Sequence, residues 1–186
     1  MKKSWLSPED WKLIKSSIPV VCIDALPVRF SSNPRHDLRA VGLILRETPQ
    51  GRKWCLIGGR LMHGESLSEA LHRQVAEALG RHIKLFIGTD QQPLYIAQYS
   101  PARRRPFALD PRQHSVGLTY AVEMDGIPDL GGEAIQFEWF KIANVRRARQ
   151  FGFGQDSVIK TCLRLLKNCP TMRLSKREDI SNLRTS

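Results

Sequence analysis

Short apolar runs alternate with segments of helical periodicity along the chain, and this pattern predicts a mixed α/β fold. Apolar runs rich in β-branched residues and bounded by turn residues are typical of strands. The third run leads into Gly58-Gly59, and polar loops are expected over 29–37 and 101–111. The predicted strands are 20–26, 40–47, 54–57, 83–87, 94–99, 116–122 and 137–140.

Three segments carry the capping residues and apolar spacing of helices. A helix is predicted over 8–16, because Ser7 can cap it and a proline suits its first position. A second helix follows Ser66, which begins a capping-box pattern, and ends at Gly80. A third is predicted over 155–167. The apolar stripe of the first helix consists of Trp11, Leu13 and Ile14.

Charge narrows the range of partners. The 186 residues include 29 Lys and Arg against 18 Asp and Glu, which gives a formal charge of +11. Such a balance favours anionic partners, whether nucleotides, nucleic acid or acidic membrane surfaces. The length suits one domain, expected over 1–170, followed by a polar, flexible tail over 171–186.

Cysteine usage and hydropathy predict a cytoplasmic protein. The four cysteines form no C-x-x-C pair, so we expect reduced, mostly structural thiols. The five histidines lack the spacing of zinc ligands. No apolar run approaches the roughly 18 residues that cross a bilayer, so no membrane-spanning segment is predicted, and no membrane is expected among the partners. The basic first residues are not followed by an apolar stretch, so no secretory signal is predicted.

Residues 59–81 resemble the Nudix box, whose pattern is G-x5-E-x7-R-E-U-x-E-E-x-G-U with U a bulky aliphatic residue. Three positions depart from the pattern, namely Gln74, Ala78 and Arg81. The resemblance implies an α/β/α sandwich around a mixed β-sheet, here with additional N-terminal and C-terminal helices. The matching residues are Gly59, Glu65, Arg73, Val75, Glu77 and Gly80.

The depleted box still offers oxygen ligands for a divalent cation. Positions 74, 77 and 78 share one helix face, and carboxylates there would converge on magnesium or manganese. Only Glu77 can be charged, Gln74 offers an amide oxygen, and the alanine offers nothing. A backbone carbonyl at Gly58 or Gly59, or a distant acid, would have to complete the site.

Glu133 is the candidate for the distant acid. Nudix enzymes often carry an acidic or amide residue in a loop before a strand with an aromatic pair, and 131–140 is similar to that segment. Glu133 would then bind the metal or accept a proton from the attacking water. The alternative is a solvated loop glutamate after a Gly-Gly turn. The predicted metal ligands are therefore Gly59, Gln74, Glu77 and Glu133.

Arg73 completes the predicted catalytic set with Glu77 and Glu133. Its spacing from Glu77 would also fit a helix-surface ion pair worth roughly 0.3–0.5 kcal/mol. In Nudix proteins this arginine instead orients box carboxylates, and the resemblance implies Glu65 as its partner here.

A narrower resemblance is to the GDP-mannose hydrolases of the Nudix superfamily. That branch also has a helix of the type found at 6–11 and an aspartate in the first strand, which Asp24 matches. Arg46 and Arg60 match arginines that hold the diphosphate and the sugar, and arginine suits bidentate phosphate contacts. Surface charge for the arginines, and a structural hydrogen bond for Asp24, remain the alternatives. This chain departs from the branch in two features. The branch keeps an acid at the position of Ala78, and it has a histidine base in the loop that corresponds to residues 133–135 here, where no histidine is present.

A basic run, Arg103-Arg104-Arg105, adds candidate substrate-binding residues. Arg103 and Arg104 would form part of a lid over phosphates or contact nucleic acid, although most short basic runs are only solvated.

Two functional hypotheses follow from these residues. The first is a magnesium- or manganese-dependent Nudix hydrolase of a nucleoside diphosphate linked to another moiety, with a nucleotide-sugar as the favoured substrate. The second is a catalytically weakened Nudix-fold protein that binds a nucleotide metabolite or RNA. A small-molecule nucleotide is favoured over nucleic acid, because no aromatic-rich RNA-binding motif is present. Nudix relatives often dimerise, so a homodimer is expected from the resemblance alone.

Overall fold

The computed structural model describes residues 6–32, 37–87, 92–102, 108–145 and 151–168. Helices and strands follow one another along the chain as α1 (Pro8–Ser17), β1 (Val20–Phe30), β2 (Leu38–Thr48), β3 (Gly51–Cys55), β4 (Ile57–Arg60), α2 (Leu67–Leu79), β5 (Lys84–Ile87), β6 (Tyr95–Ser100), β7 (Ala108–Leu109), β8 (Ser115–Asp125), β9 (Gln136–Lys141), α3 (Ile142–Val145) and α4 (Gln155–Asn168).

A mixed sheet forms the centre of the fold. Its main path runs β3-β2-β1-β8-β6-β7, while β4 pairs with β1, β5 with β8 and β9 with β2. The central pair β1 and β8 is parallel, and β1 is antiparallel to both β2 and β4. The sheet therefore brings β4, which leads into α2, alongside the strand that carries Asp24.

Two apolar cores cover the sheet, one formed with α2 and one with α4. Strand β1 contributes to both cores, with Ile23 in the α2 core and Leu26 in the α4 core. From the helices, Val75 packs in the first core and Ile159 in the second. The expected α/β/α sandwich with a mixed sheet and two additional terminal helices is confirmed.

Helix α2 has the ends that local sequence predicts. The Ser66 hydroxyl accepts a hydrogen bond from the backbone N–H of Glu69, whose carboxylate accepts one from the backbone of Ser66. Gly80 ends the helix with φ +98°, a conformation that other residues rarely adopt. This helix start fixes the loop that precedes it, which carries the first half of the box.

Four details of the predicted elements were wrong. Strand β1 continues to Phe30 through the residues expected to begin a loop, because it pairs with β2 there. The single strand predicted over 54–57 is divided between β3 and β4, and the backbone N–H of Leu56 at the break donates to Gln155 Oε1 at 2.9 Å. Strand β7 lies inside the predicted 101–111 loop, and the short helix α3 was not predicted.

Helix α1 forms as predicted, but its apolar stripe does not join either core. Ser7 accepts a hydrogen bond from the Asp10 N–H at 3.1 Å, yet no residue of the helix is buried. Leu13 is 65% exposed. The helix is therefore held outside the sandwich, where Trp11 lines the cavity described below.

Several predictions concern residues that the structure does not describe. Arg103, Arg104 and the 171–186 tail lie outside the described residues, as does Cys169. The other three cysteines, Cys22, Cys55 and Cys162, are free thiols. Within the described ranges, none of the helices is both long and apolar enough to cross a membrane.

Candidate active site

A cavity of about 720 Å³ opens between the sheet, α2 and the loops that follow β7 and β8. Both of the basic-run candidates fall outside the described chain, but every other predicted site residue lines the cavity. These residues are Asp24, Arg46, Gly59, Arg60, Arg73, Gln74, Glu77 and Glu133.

Arg73 is fixed by Glu65 from the loop before α2. Its Nε lies 2.6 Å from Glu65 Oε1 and its Nη2 lies 2.9 Å from Glu65 Oε2. The Glu65 side chain is only 5% exposed and also accepts the Met62 N–H at 3.0 Å. Arg73 further donates to the Arg60 carbonyl at 3.1 Å, and its Nη1 lies 3.4 Å from Glu77 Oε2. Arg73 therefore forms both contacts that the sequence allowed, the ion pair with Glu77 on the helix surface and the contact that orients Glu65.

Gln74 packs against the backbone of β4 instead of pointing into open solvent. A Cβ at Gly59 would lie 2.7 Å from Gln74 Nε2, so a larger residue there would displace the Gln74 amide from its present position. The amide nitrogen approaches the Arg60 carbonyl at 3.5 Å. The amide at this box position therefore links α2 to β4 and keeps its oxygen near the cavity.

Glu77 and Ala78 lie in the last turn of α2 and differ sharply in solvent exposure. Glu77 is exposed over 56% of its side chain, whereas Ala78 is 4% exposed and belongs to the α2 core. The Ala78 carbonyl accepts the N–H of Gly131 at 3.1 Å. This bond holds the loop before β9, and with it Glu133, against the C-terminal end of α2.

Glu133 forms an ion pair with Arg46, which reaches into the cavity from β2. The Arg46 side chain is 15% exposed, and its buried Nε has no hydrogen-bond acceptor among the described residues. Burial raises the pKa of Glu133 above its ordinary value, and Arg46 opposes the shift. Glu77 is close enough to raise the pKa of Glu133 as well, so the two predicted acids share one region.

Asp24 occupies a narrow space between two strands. Its carboxylate faces Gly58 of β4 and Gly117 of β8, and a Cβ at either glycine would collide with it. Burial raises the pKa of Asp24 to about 7, while Arg46 and Arg112 oppose the shift. Asp24 is therefore an acid that changes charge near neutral pH at the cavity wall.

Arg112, Asp110 and Phe153 line the cavity but were missed from the sequence. Arg112 donates from Nε and Nη2 to the two carboxylate oxygens of buried Asp110, at 2.9 and 2.8 Å. Its guanidinium lies 3.8 Å from the ring centroid of Phe153. The only local signal was the Asp-Pro-Arg turn, in which the Arg112 N–H also donates to Asp110 at 3.0 Å.

Trp11 was predicted as part of an apolar stripe, but its ring stacks with Arg60, a predicted substrate-binding residue. The Arg60 guanidinium lies 4.3 Å from its ring centroid. Lys15, one helical turn further along α1, also lines the cavity. The first helix therefore forms one rim of the site.

The predicted metal ligands offer only oxygen atoms, which magnesium prefers. Two of them are carboxylates, and each of these, Glu77 and Glu133, also faces an arginine. Gly59 lies opposite Ile23 in the β1–β4 ladder. Over the described ranges, no three His, Cys, Asp or Glu side chains gather closely enough to hold a metal ion by themselves. The donor set suits a hard cation only if further oxygens come from a bound phosphate.

One family of sequences covers nearly the whole described chain. The family described as Domain of unknown function (DUF4916) matches residues 1–167. The chain belongs to this family. No protein with a curated description matches the sequence.

Solved structures identify the fold of this DUF4916 member. A possible asymmetric diadenosine tetraphosphate (Ap4A) hydrolase from Jonesia denitrificans is 29% identical, with a TM-score of 0.73 over 86% of this chain and 99% of that chain. The Nudix domain of Shewanella oneidensis NrtR, complexed with ADP ribose, is 19% identical, with a TM-score of 0.58 over 87% and 99%. A Nudix-family hydrolase from Clostridium perfringens is 15% identical, with a TM-score of 0.57 over 80% and 99%. The chain therefore has the Nudix fold that its box predicted.

Proposed function

We propose that this protein is a Nudix hydrolase of a nucleoside diphosphate linked to another moiety, with nucleotide-sugars as the favoured substrates. The main supporting observation is that Arg73, which is held by Glu65 of the box, lines a cavity together with further cationic side chains. Guanidinium groups bind phosphate oxygens through paired hydrogen bonds. The cationic residues of the lining are Lys15, Arg46, Arg60, Arg73 and Arg112.

The similar proteins support this substrate class. The structure from Jonesia denitrificans is described as a possible Ap4A hydrolase, and the Shewanella domain was crystallised with ADP ribose. Both ligands contain a nucleoside linked through phosphates to a second moiety, which is ribose in ADP ribose and another adenosine in Ap4A. Within the class, the match of Asp24, Arg46 and Arg60 to the GDP-mannose branch favours a sugar as the second moiety.

The residues that line the cavity would have separate roles in the hydrolysis. Arg46 and Arg60 would bind the diphosphate and stabilise the leaving nucleotide. Arg73 holds Glu65 and reaches Glu77, so it would orient the box carboxylates. Glu133 would accept the proton of the attacking water, and its raised pKa brings it closer to the pH at which such a base works.

A divalent cation would be held by the Gly59 carbonyl, the Gln74 amide oxygen, Glu77 and Glu133 together with the substrate. Magnesium is commonly held by one or two protein carboxylates and by substrate phosphates. When bound, the ion would neutralise charge on the diphosphate. Because the protein contributes only two carboxylates, we expect weak metal binding in the absence of nucleotide.

A substrate panel tests the proposal directly. ADP-ribose, GDP-mannose and Ap4A are incubated with the protein in magnesium or manganese, and products are separated by chromatography. We expect turnover of at least one nucleotide-sugar, a loss of activity in Glu77→Gln, and normal activity in Arg52→Gln, which changes an exposed arginine on β3. A folded protein that hydrolyses none of the panel would contradict the hydrolase assignment.

The second candidate is a protein that binds a nucleotide without cleaving it. Ala78 is buried where the box pattern has a glutamate, and both remaining acids face arginines. Calorimetry with the same panel separates the two candidates, since tight binding without products supports the second. RNA binding would be recognised by a steep fall in affinity with salt, because counterion release drives it.

A further inference from the structure

Phe153 has an unusual backbone conformation for a bulky residue. Its φ is +51°, in the left-handed region that favours glycine, and it is the only non-glycine residue with positive φ in the described ranges. Its side chain is nonetheless buried at 5% exposure and lines the cavity. A strained residue that persists beside a site must be held there by its surroundings, and such strain often accompanies function.

The surroundings of Phe153 leave its backbone little freedom. A Cβ on Gly152 would lie 2.6 Å from Cys55 Sγ, and one on Gly154 would lie 2.6 Å from the Leu109 nitrogen. The Gly152 N–H donates to the Trp54 carbonyl at 3.0 Å. The segment before α4 is therefore held between β3 and β7, and the ring of Phe153 lies where the α2 core meets the cavity.

Two arginines from separate elements lie over this one ring. Arg112, from the loop before β8, is 3.8 Å from the ring centroid, and Arg46, from β2, is 5.4 Å from it. Aromatic faces attract guanidinium groups at these distances. The ring is therefore in contact with two positively charged side chains. Each of them also forms an ion pair, Arg112 with Asp110 and Arg46 with Glu133.

The pair retains hydrogen-bond donors for a ligand. Arg112 binds Asp110 through Nε and Nη2, so Nη1 takes no part in those bonds. The buried Nε of Arg46 has no acceptor among the residues the structure describes. Buried donors are normally paired. A phosphate oxygen between the two guanidinium groups would accept from Arg112 Nη1, whereas the enclosed Arg46 Nε would be reached only if the Arg46 side chain shifted.

We propose that Phe153 is a positioning residue that holds Arg46 and Arg112 as one phosphate-binding pair, which makes the segment before α4 part of the substrate site. The ligand class is a diphosphate. This inference rests on the proposed function for the identity of the natural substrate, while its chemistry can be tested with an inorganic anion.

The test measures binding of inorganic pyrophosphate to the full chain by calorimetry, without added metal. We expect Phe153→Leu, which keeps an apolar side chain but removes the ring, to weaken binding about fivefold to tenfold. Phe153→Tyr keeps the aromatic face and should bind within about twofold of the wild type. Arg52→Gln is the matched control for loss of one arginine outside the cavity, and thermal melts check that each variant folds.

A double-mutant cycle distinguishes positioning from a general loss of structure. Arg112→Gln should weaken binding about tenfold, and adding Phe153→Leu should then cost clearly less than it does alone, because the ring has only the more distant Arg46 left to position. The inference is overturned if the wild type does not bind pyrophosphate, if Phe153→Leu binds as tightly as wild type, or if the two effects simply multiply.

The same variants separate this inference from the hydrolase proposal. If pyrophosphate binding depends on Phe153 and no substrate of the panel is cleaved, the arginine pair stands and the hydrolase assignment fails. If a nucleotide-sugar is cleaved and Phe153→Leu leaves KM unchanged, the hydrolase assignment stands and the arginine pair fails.

Discussion

Asp24 is a buried acid for which the two adjacent strands each supply a glycine. Gly58 and Gly117 leave room for its carboxylate, and the space is too narrow for other residues. An apolar strand with one aspartate was visible in the sequence, but its burial depends on β4 and β8. Burial disfavours the charged form, which is why its pKa rises to about 7 despite two nearby arginines.

The raised pKa of Asp24 predicts a specific dependence of stability on pH. The folded state holds the proton more tightly than the unfolded state, so this contribution is fully present below the ordinary pKa of 3.8 and is lost as pH rises through about 7. The full difference is about 4 kcal/mol, from the energy of one pKa unit. Asp24→Asn should therefore lose less stability than the wild type between about pH 4 and pH 8.

Urea unfolding across this pH range measures the effect. Asp125→Asn, at an exposed position, serves as the control and should follow the wild-type curve. Parallel curves for wild type and Asp24→Asn would show that Asp24 has no raised pKa.

Arg73 binds both oxygens of Glu65, and lysine cannot reproduce that geometry. Arg73→Lys keeps the charge but leaves the nearly buried Glu65 with fewer donors. We expect the free energy of unfolding to fall by ~1–3 kcal/mol and turnover of the best panel substrate to fall about tenfold to a hundredfold. Denaturant melts and steady-state kinetics measure the two effects, with Arg52→Lys as the control. Wild-type turnover in Arg73→Lys would remove the orienting role.

At the scale of elements, the box helix was predictable because its signals are local. The cap at Ser66, the apolar face and the end at Gly80 all lie within one segment, and the structure places them as the pattern indicates. Arg112 and Phe153 could not be found in this way, because their contact joins the loop before β8 to the segment before α4. Sequence periodicity carries no information on such distant pairs.

Ala78 allows a test of whether α2 can be restored as a stronger metal site. Ala78→Glu adds a carboxylate on the cavity wall beside Gln74 and Glu77, at a position that is 4% exposed. Without metal, we expect the buried charge to lower the free energy of unfolding by ~1–3 kcal/mol. With magnesium, the three oxygen-bearing side chains should bind the ion, and much of the loss should be recovered.

Ala78→Gln is the matched control, because it adds similar volume without charge. It should be destabilised as well, but its melting temperature should not respond to magnesium. If neither variant responds to magnesium, this face of α2 does not bind the cation, and if both respond equally, the added carboxylate is not a ligand.

Helix α1 contributes to the site without contributing to the core. Because none of its residues is buried, Trp11→Ala should change the free energy of unfolding by only about 0.5 kcal/mol. Arg60 loses its aromatic partner in this variant, so affinity for ADP-ribose should fall about threefold to tenfold. Calorimetry measures the affinity, and Leu13→Ala, a more exposed position of the same helix, should bind normally. Equal affinities of the two variants would show that the stacking of Trp11 on Arg60 does not contribute to binding.

At the scale of the molecule, the cavity collects residues that are far apart in the sequence. The parallel pairing of β1 with β8 and the antiparallel pairing of β1 with β4 bring Asp24, Arg112 and the start of the box to one place. The Nudix resemblance made this arrangement predictable in outline. It could not supply Arg112 or Phe153, because neither belongs to the box.

The formal charge of +11 predicts that KM depends on the salt concentration. Cationic side chains around a cavity raise the local concentration of an anionic substrate, and ions in solution screen this attraction. For a nucleotide-sugar that is cleaved, KM should rise about threefold to tenfold between low salt and about 0.5 M salt, while kcat changes little. Once the substrate is bound, the partly buried Arg46 and Arg73 are screened much less than exposed charges.

Steady-state kinetics across the salt series measure both constants, and Arg60→Gln should show a shallower rise in KM because one charge of the rim is missing. Arg52→Gln removes the same charge from an exposed position outside the cavity and should keep more of the wild-type slope. If the two variants lose slope equally, the net charge of the protein attracts the substrate and the cavity has no special part in it. If kcat falls with KM unchanged, salt acts on the bound complex, and the steering argument fails for this protein.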